Sequence, residues 1–365
     1  MNKSKQYASI RYTLLIIDVG YLVALLFLFQ GLGLSRALVQ GVSRVIHPHY
    51  FVLPVYLLVI YLAYYVLSFP LNFYRSFVLE HQFSLSTQKL GAWLKDEFKG
   101  GVIAYFILII LAGTFYYIYG HYPGFWWLLL SLFWVFFSLI LAKITPLVII
   151  PLFFKYTRLS DNALRERIIK LAEKMQVKIV DVFQIDFSKK TLKANAAFVG
   201  VGRTRRVLLA DTLKDKYSIE EIEVILAHEF AHYKLRHLVK LIFINASFTV
   251  VAFYFIFKTD PYFLAISGLS SLADLAAFPM LLIYFVIYGI ITQPLQNYLS
   301  RIMEMNADLM ALEVTQARAA FISMMEKLSS QNLADRNPHP VIKFFFFDHP
   351  AIEERINMAV KSADS

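Results

Sequence analysis

The chain has 365 residues, of which 58% are hydrophobic and only 17% charged, with mean hydropathy +0.56 and a formal net charge of +10. Soluble domains carry about 45–50% apolar residues and about 25% charge, so these values exclude a disordered chain, a fibre and an ordinary soluble enzyme, and predict a polytopic membrane protein. The absence of cysteine excludes disulfide scaffolds, thiolate metal sites and cysteine nucleophiles, and the positive balance reads as basic cytoplasmic loops rather than a nucleic-acid footprint.

A spanning helix needs about 20 mostly apolar residues. Residues 12–35 qualify, interrupted only by Asp18, a carboxylate expected to be interfacial or paired. Lys3, Lys5 and Arg11 precede this run, which reads as an uncleaved first helix rather than a signal peptide. Residues 45–74 and 101–142 contain no Lys, Arg, Asp or Glu. The second stretch is too long for one span, and His121-Tyr122-Pro123-Gly124 supplies a turn in its middle. A polar segment follows. Its residues 161–176 have helical periodicity, 177–187 read as a strand, and 196–202 and 206–209 read as two strands joined near Gly202-Arg203-Thr204. Ser218-Ile219-Glu220-Glu221 is a capping box that opens another helix. Two further uncharged runs, 241–257 and 275–300, bring the spans to six. Basic residues concentrate in the N-terminal tail, the 75–99 loop and the polar middle, which predicts that the N-terminus, the middle segment and the C-terminus all face the cytoplasm.

The capped helix carries His228-Glu229-Phe230-Ala231-His232. Four residues make about one helical turn, so both imidazoles leave one face and can share a zinc ion. Glu229 lies about 100° round the helix and can reach a metal-activated water as general base. A catalytic zinc usually takes three protein ligands. Glu304, four residues before Asp308 and just beyond the last span, is the expected third, and Asp308 the acceptor that holds a ligand histidine in its tautomer. The expected fold is mainly α: a polytopic helical membrane protein with a zinc metalloprotease domain carrying a small β-sheet. Residues 1–154 form a membrane region with four spans, and 155–365 the metalloprotease domain with the other two.

At these residues the chain resembles the type I CaaX prenyl proteases, integral-membrane zinc metalloproteases. The resemblance rests on His228 to His232, on Ser300-Arg301-Ile302-Met303-Glu304-Met305-Asn306-Ala307-Asp308 and on His349-Pro350-Ala351-Ile352-Glu353-Glu354-Arg355. It extends to Asn195-Ala196-Ala197-Phe198-Val199-Gly200, to residues 205–213 and to residues 73–96, and so covers nearly the whole chain. Met305 replaces the family's usual Phe, the eukaryotic members have seven spans rather than six, and a long charged insertion found in some members is missing. The resemblance implies one zinc per chain and an intramembrane chamber around it. Asn245, Gln293 and Asn297 are polar span residues that would be tolerable facing such water. It also implies that His349 donates to the oxyanion, that Arg355 orients that region and that Asn195 contacts the substrate backbone or the site. Residues Ala196, Ala197, Phe198, Val199 and Gly200 would add an edge strand to an extended peptide. The expected partners are a peptide or protein substrate, prenylated or not, and the lipid bilayer, with no nucleic acid. Cleavage near a prenylated cysteine is the first reading. A quality-control protease without a prenyl requirement is the alternative, and an inactive scaffold or transporter a remote one.

Overall fold

The computed structural model describes residues 3–200 and 205–361. Helix α1 (Lys3–Gly31) ends where Gly33 takes a left-handed φ of 70°, and the short α2 (Leu34–Val45) turns away from it. The predicted first span therefore ends four residues early, because a Cβ would strain that turn. Helix α3 (Val52–Phe73) contains Pro70, loosens into a π-turn at Tyr74–Val78 and closes with α4 (Leu79–Gln82). Helices α5 (Leu90–His121) and α6 (Trp126–Ile144) flank the predicted turn at residues 121–124. A second π-turn and α7 (Ile150–Phe153) complete the N-terminal part.

Among the described residues, six helices are long and apolar enough to cross a membrane: Lys3–Gly31, His49–Gln82, Leu90–His121, Trp126–Phe153, His237–Ala265 and Leu275–Thr315. A helix satisfies its own backbone donors and acceptors, which an apolar surrounding requires. Their outward side chains include Leu62, Phe106 and Phe136, all exposed. The last span is the central one, with 44% of its apolar window buried against 6% to 17% for the others. Asp18 of α1 is paired as expected: Arg75 Nη1 lies 2.7 Å from its Oδ2, on the wall of a polar cavity of about 450 Å³.

The polar middle forms a mixed sheet. Strand β1 (Tyr156–Arg158) is followed by α8 (Asn162–Lys174), β2 (Val182–Ile185), β3 (Ala196–Val199) and β4 (Arg206–Ala210). The order is β1-β2-β4-β3, with β2 and β4 parallel and the other pairs antiparallel. β3 is thus an edge. The strand predicted over 177–187 shrinks to four residues, because Val177 N–H donates to Ala172 O and finishes the end of α8 instead. The turn expected near Gly202-Arg203-Thr204 lies outside the described residues.

After α9 (Asp211–Lys214) comes α10 (Ile219–Lys234), with its capping box formed as read. Helix α11 (His237–Ser267) is the fifth span. Helix α12 (Phe278–Thr315) runs 38 residues from the last span out into the polar half. Helices α13 (Arg318–Gln331), α14 (Pro340–Phe346) and α15 (Ile352–Lys361) wrap back over it. One core holds this half together: Val182, Val207, Leu209, Leu226, Phe230, Ala307, Ala311 and Phe321 are buried in it. It presses α10 against α12, with the sheet behind α10.

Candidate metal centre

Ser218 Oγ accepts from Glu221 N–H at 3.2 Å, and Glu221 Oε2 accepts from Ser218 N–H at 2.8 Å. Lys327 Nζ and Ser323 Oγ also donate to Glu221, each at 2.6 Å. The start of α10 is therefore fixed in place two turns before His228. On α12, Glu304 and Asp308 repeat the same one-turn spacing. The two buried helices lie side by side, and their four side chains interleave.

His228 Nε2 lies 3.1 Å from His232 Nε2 and 3.3 Å from Glu304 Oε2, and His232 Nε2 lies 3.3 Å from Glu304 Oε1. Bonds of about 2.0–2.1 Å to a tetrahedral ion place its donors about 3.3–3.4 Å apart. The observed spacings match that figure. A contact between two imidazole nitrogens at this distance needs a proton or a metal ion between them, and with the Glu304 carboxylate 3.3 Å from both nitrogens the donor set fits a metal ion. The three residues are the metal-competent group found among the described residues. Burial pulls the His228 imidazole down, but hydrogen bonds with Asp308 and Glu304 outweigh it and raise the group to about 9.

His228 Nδ1 faces Asp308 Oδ1 at 2.8 Å. Arg355 grips the same carboxylate with both arms, Nε to Oδ2 at 2.6 Å and Nη2 to Oδ1 at 2.5 Å. Asp308 is fully buried, so without Arg355 its charge would lack compensation. His349 comes from the link between α14 and α15, and its Nδ1 lies 2.7 Å from Glu304 Oε2. That contact raises the His349 imidazole above its ordinary range. Nε2 is the ring's other hydrogen-bonding atom.

Glu229 points to the sheet side of α10. Burial pushes its carboxyl up, while the nearby histidines and the Phe198 backbone N–H, which donates to it, pull the other way. Phe198 also packs edge-on against Phe230 at 5.4 Å and Tyr233 at 5.8 Å. The outer edge of β3 therefore runs beside Glu229. Ala196, Ala197, Phe198 and Val199 are half-buried along that edge, and Gly200 follows with a left-handed φ of 95°. Asn195 is exposed just before the strand, and its carbonyl accepts from Ala210 N–H.

Seven of the residues singled out by sequence thus converge: His228, Glu229, His232, Glu304, Asp308, His349 and Arg355. Three contributors had no such role read for them, although Asn297 was named as a polar span residue and Arg301 within a motif. Asn297 and Arg301 anchor the His349 segment: Asn297 Nδ2 donates to Phe345 O at 2.7 Å and Arg301 Nη1 to Phe347 O at 2.6 Å. Asn297 is buried on this carbonyl. The third is His237, whose Nδ1 lies 2.9 Å from His232 Nδ1.

The model of peptidase family M48 matches residues 158–363, and one described as CAAX prenyl protease N-terminal, five membrane helices, matches residues 1–155. The described part of 1–155 holds four helices long enough to span, together with the twelve-residue α2. Among similar proteins, the uncharacterized metalloprotease YhfN of Bacillus subtilis is 28% identical over 99% of this chain and 86% of its own. CAAX prenyl protease 1 of Saccharomyces cerevisiae is 28% identical over 80% of this chain and 68% of its own. The human CAAX prenyl protease 1 homolog is 26% identical, over 79% and 69%. The crystal structure of S. mikatae Ste24p superposes with a TM-score of 0.88 at 23% identity, covering 98% of this chain and 88% of that one, and shares the fold.

Proposed function

The chain belongs to peptidase family M48 and is a multi-pass membrane metalloprotease, and from that premise we propose that it is a zinc endopeptidase that cuts extended peptides near a prenylated C-terminal cysteine. The observation that carries this reading is the convergence of His228, His232 and Glu304 at tetrahedral spacings, with Glu229 between them and an open strand edge. The prenylated substrate class comes from the similar yeast and human proteins named CAAX prenyl proteases. A set of two nitrogens and one carboxylate, with no thiolate, suits zinc.

His228, His232 and Glu304 would hold the ion. When bound, it supplies Lewis acidity that polarises the scissile carbonyl and makes water a nucleophile near neutral pH. The chain's own residues do the rest. β3 pairs with the substrate main chain and lays the scissile bond beside Glu229. The Glu229 carboxylate takes the proton from the attacking water and returns it to the leaving amine. His349 donates from Nε2 to the oxygen as it gains charge. Asp308, clamped by Arg355, accepts from His228 Nδ1–H and keeps Nε2 free. Residues 1–154 form the membrane region and 155–365 the catalytic domain. The N-terminus, the catalytic segment and the C-terminus lie on the cytoplasmic side, since the 119–124 loop carries no Lys or Arg. Labelling of Tyr122→Cys from the cytoplasmic face would reverse that orientation.

The decisive experiment compares matched farnesylated and unmodified peptides with purified wild type and Glu229→Ala. Farnesyl-dependent cleavage that the variant loses is expected. Equal cleavage of both peptides, also lost in the variant, would establish instead a general membrane protease. That second reading draws on β3 itself, whose Ala196 and Ala197 offer main-chain pairing with little to select side chains.

A further inference from the structure

In an uninterrupted helix a residue five positions on lies about 140° round the axis and faces away. His237 does not. Arg236 adopts a left-handed φ of 55°, α10 stops, and α11 starts at His237 itself. The chain turns back, and the His237 ring meets the His232 ring at 5.0 Å between centroids, inclined by 72°. The two Nδ1 atoms are 2.9 Å apart. His237 is 1% exposed, and its Nε2 has no hydrogen-bond partner among the described residues.

A contact between two Nδ1 atoms needs one proton, so there are two arrangements. If His237 donates, neutral His232 must carry its proton on Nε2, the atom that faces His228 Nε2 and Glu304. That nitrogen then has no lone pair for a metal. If His232 donates, its Nε2 is bare and points into the site. His237 then accepts at Nδ1 and keeps its own proton on the buried Nε2.

We propose that His237 is a positioning residue that accepts from His232 Nδ1–H and holds His232 in the one tautomer able to ligate a metal. The two ligand histidines are thus supported differently. His228 leans on a carboxylate clamped by Arg355, and His232 on an uncharged imidazole delivered by a helix break. The proposal rests on the reading of His232 as a ligand.

The test is zinc affinity of the purified full chain, measured by competition with a chromogenic chelator, in four variants. His232→Ala establishes the premise: if zinc binding survives it, the ligand reading fails and this proposal with it. His237→Leu keeps the bulk and removes the acceptor, and zinc affinity is expected to fall about 10–100-fold. His237→Asn places an amide oxygen near the former Nδ1 and is expected to recover most of that loss. His237→Phe, which restores ring packing alone, is expected to recover none. Wild-type affinity in His237→Leu, or equal recovery by Asn and Phe, would overturn the proposal while leaving the ligand set intact. Should the variants fail to fold, solid-state NMR of zinc-loaded wild type with ¹⁵N-labelled histidine decides the matter. Protons on His232 Nδ1 and His237 Nε2 are expected, and a proton on His237 Nδ1 would refute the assignment.

Discussion

Glu229 is held between two influences. Burial favours its protonated form, and the Phe198 N–H and the flanking histidines favour the carboxylate. A base poised upward from the ordinary carboxylate range is better matched to neutral pH. Glu229→Gln should therefore bind zinc as the wild type does while kcat falls about 10²–10⁴-fold; elemental analysis beside a cleavage assay checks both halves, and loss of zinc would move Glu229 into the ligand set. Asp181 makes a different point at the same scale. It is 2% exposed, accepts from Arg165 Nε at 2.6 Å and from Arg158 Nε, and also takes the Val182 N–H. Arg165 above all, against the effect of burial, holds it at about 2. A folded value below the unfolded one stabilises fully above about pH 4, and this contribution disappears as pH falls through 2. Asp181→Asn should melt below wild type at pH 7, with the gap closing between pH 4 and 2. A gap independent of pH would mean that packing rather than charge is lost.

Elements bring distant parts of the sequence to the edge strand. Lys193, three residues before β3, reaches Glu80 Oε2 at 2.7 Å and Tyr7 Oη at 3.1 Å, and Tyr7 donates to the other oxygen of Glu80. Ser86 forms a bridge with Thr191, and Leu192 N–H donates to Leu85 O at 2.8 Å. The membrane half thereby sets where β3 begins. Lys193→Met should raise KM and lower kcat/KM about 10–100-fold, through substrate misplacement, with zinc affinity unchanged; a matching loss of zinc would show a general collapse instead. None of this latch was legible beforehand, since its partners lie from 73 to 186 residues apart in sequence. The one-turn pairs were legible: His228 with His232, and Glu304 with Asp308, announce a shared face through helix periodicity alone. His237 was not, because its role depends on a left-handed residue at Arg236 that breaks the period. β1 was missed for a related reason. Three residues have no alternation of their own and become a strand only against β2.

At the scale of the whole molecule, hydropathy located the six helices that are long and apolar enough to span among the described residues, because lipid imposes one rule on every segment that crosses it. It placed their ends less well, since helices continue past the apolar zone wherever protein covers them. Helix α12 is the clearest case, spanning Phe278–Thr315 without a loop and carrying Glu304 and Asp308 on its far end. The histidines facing them sit on a separate helix anchored in the polar half. One rod is thus apolar enough for lipid along its first part and carries Glu304, the proposed metal donor, along its last. Lipid of the wrong thickness makes a spanning helix tilt or slide, at a cost of fractions of a kcal/mol per Å. Here such a shift would move Glu304 relative to His228 and His232. Reconstituted in phosphatidylcholines of graded acyl length, the protease should show a maximum of activity at one length, with zinc affinity falling on either side. A flat response would show that the contacts of α10 with α12 override the bilayer. Otherwise the thickness of the host membrane acts as a hydrophobic-mismatch control on catalysis, with no effector bound.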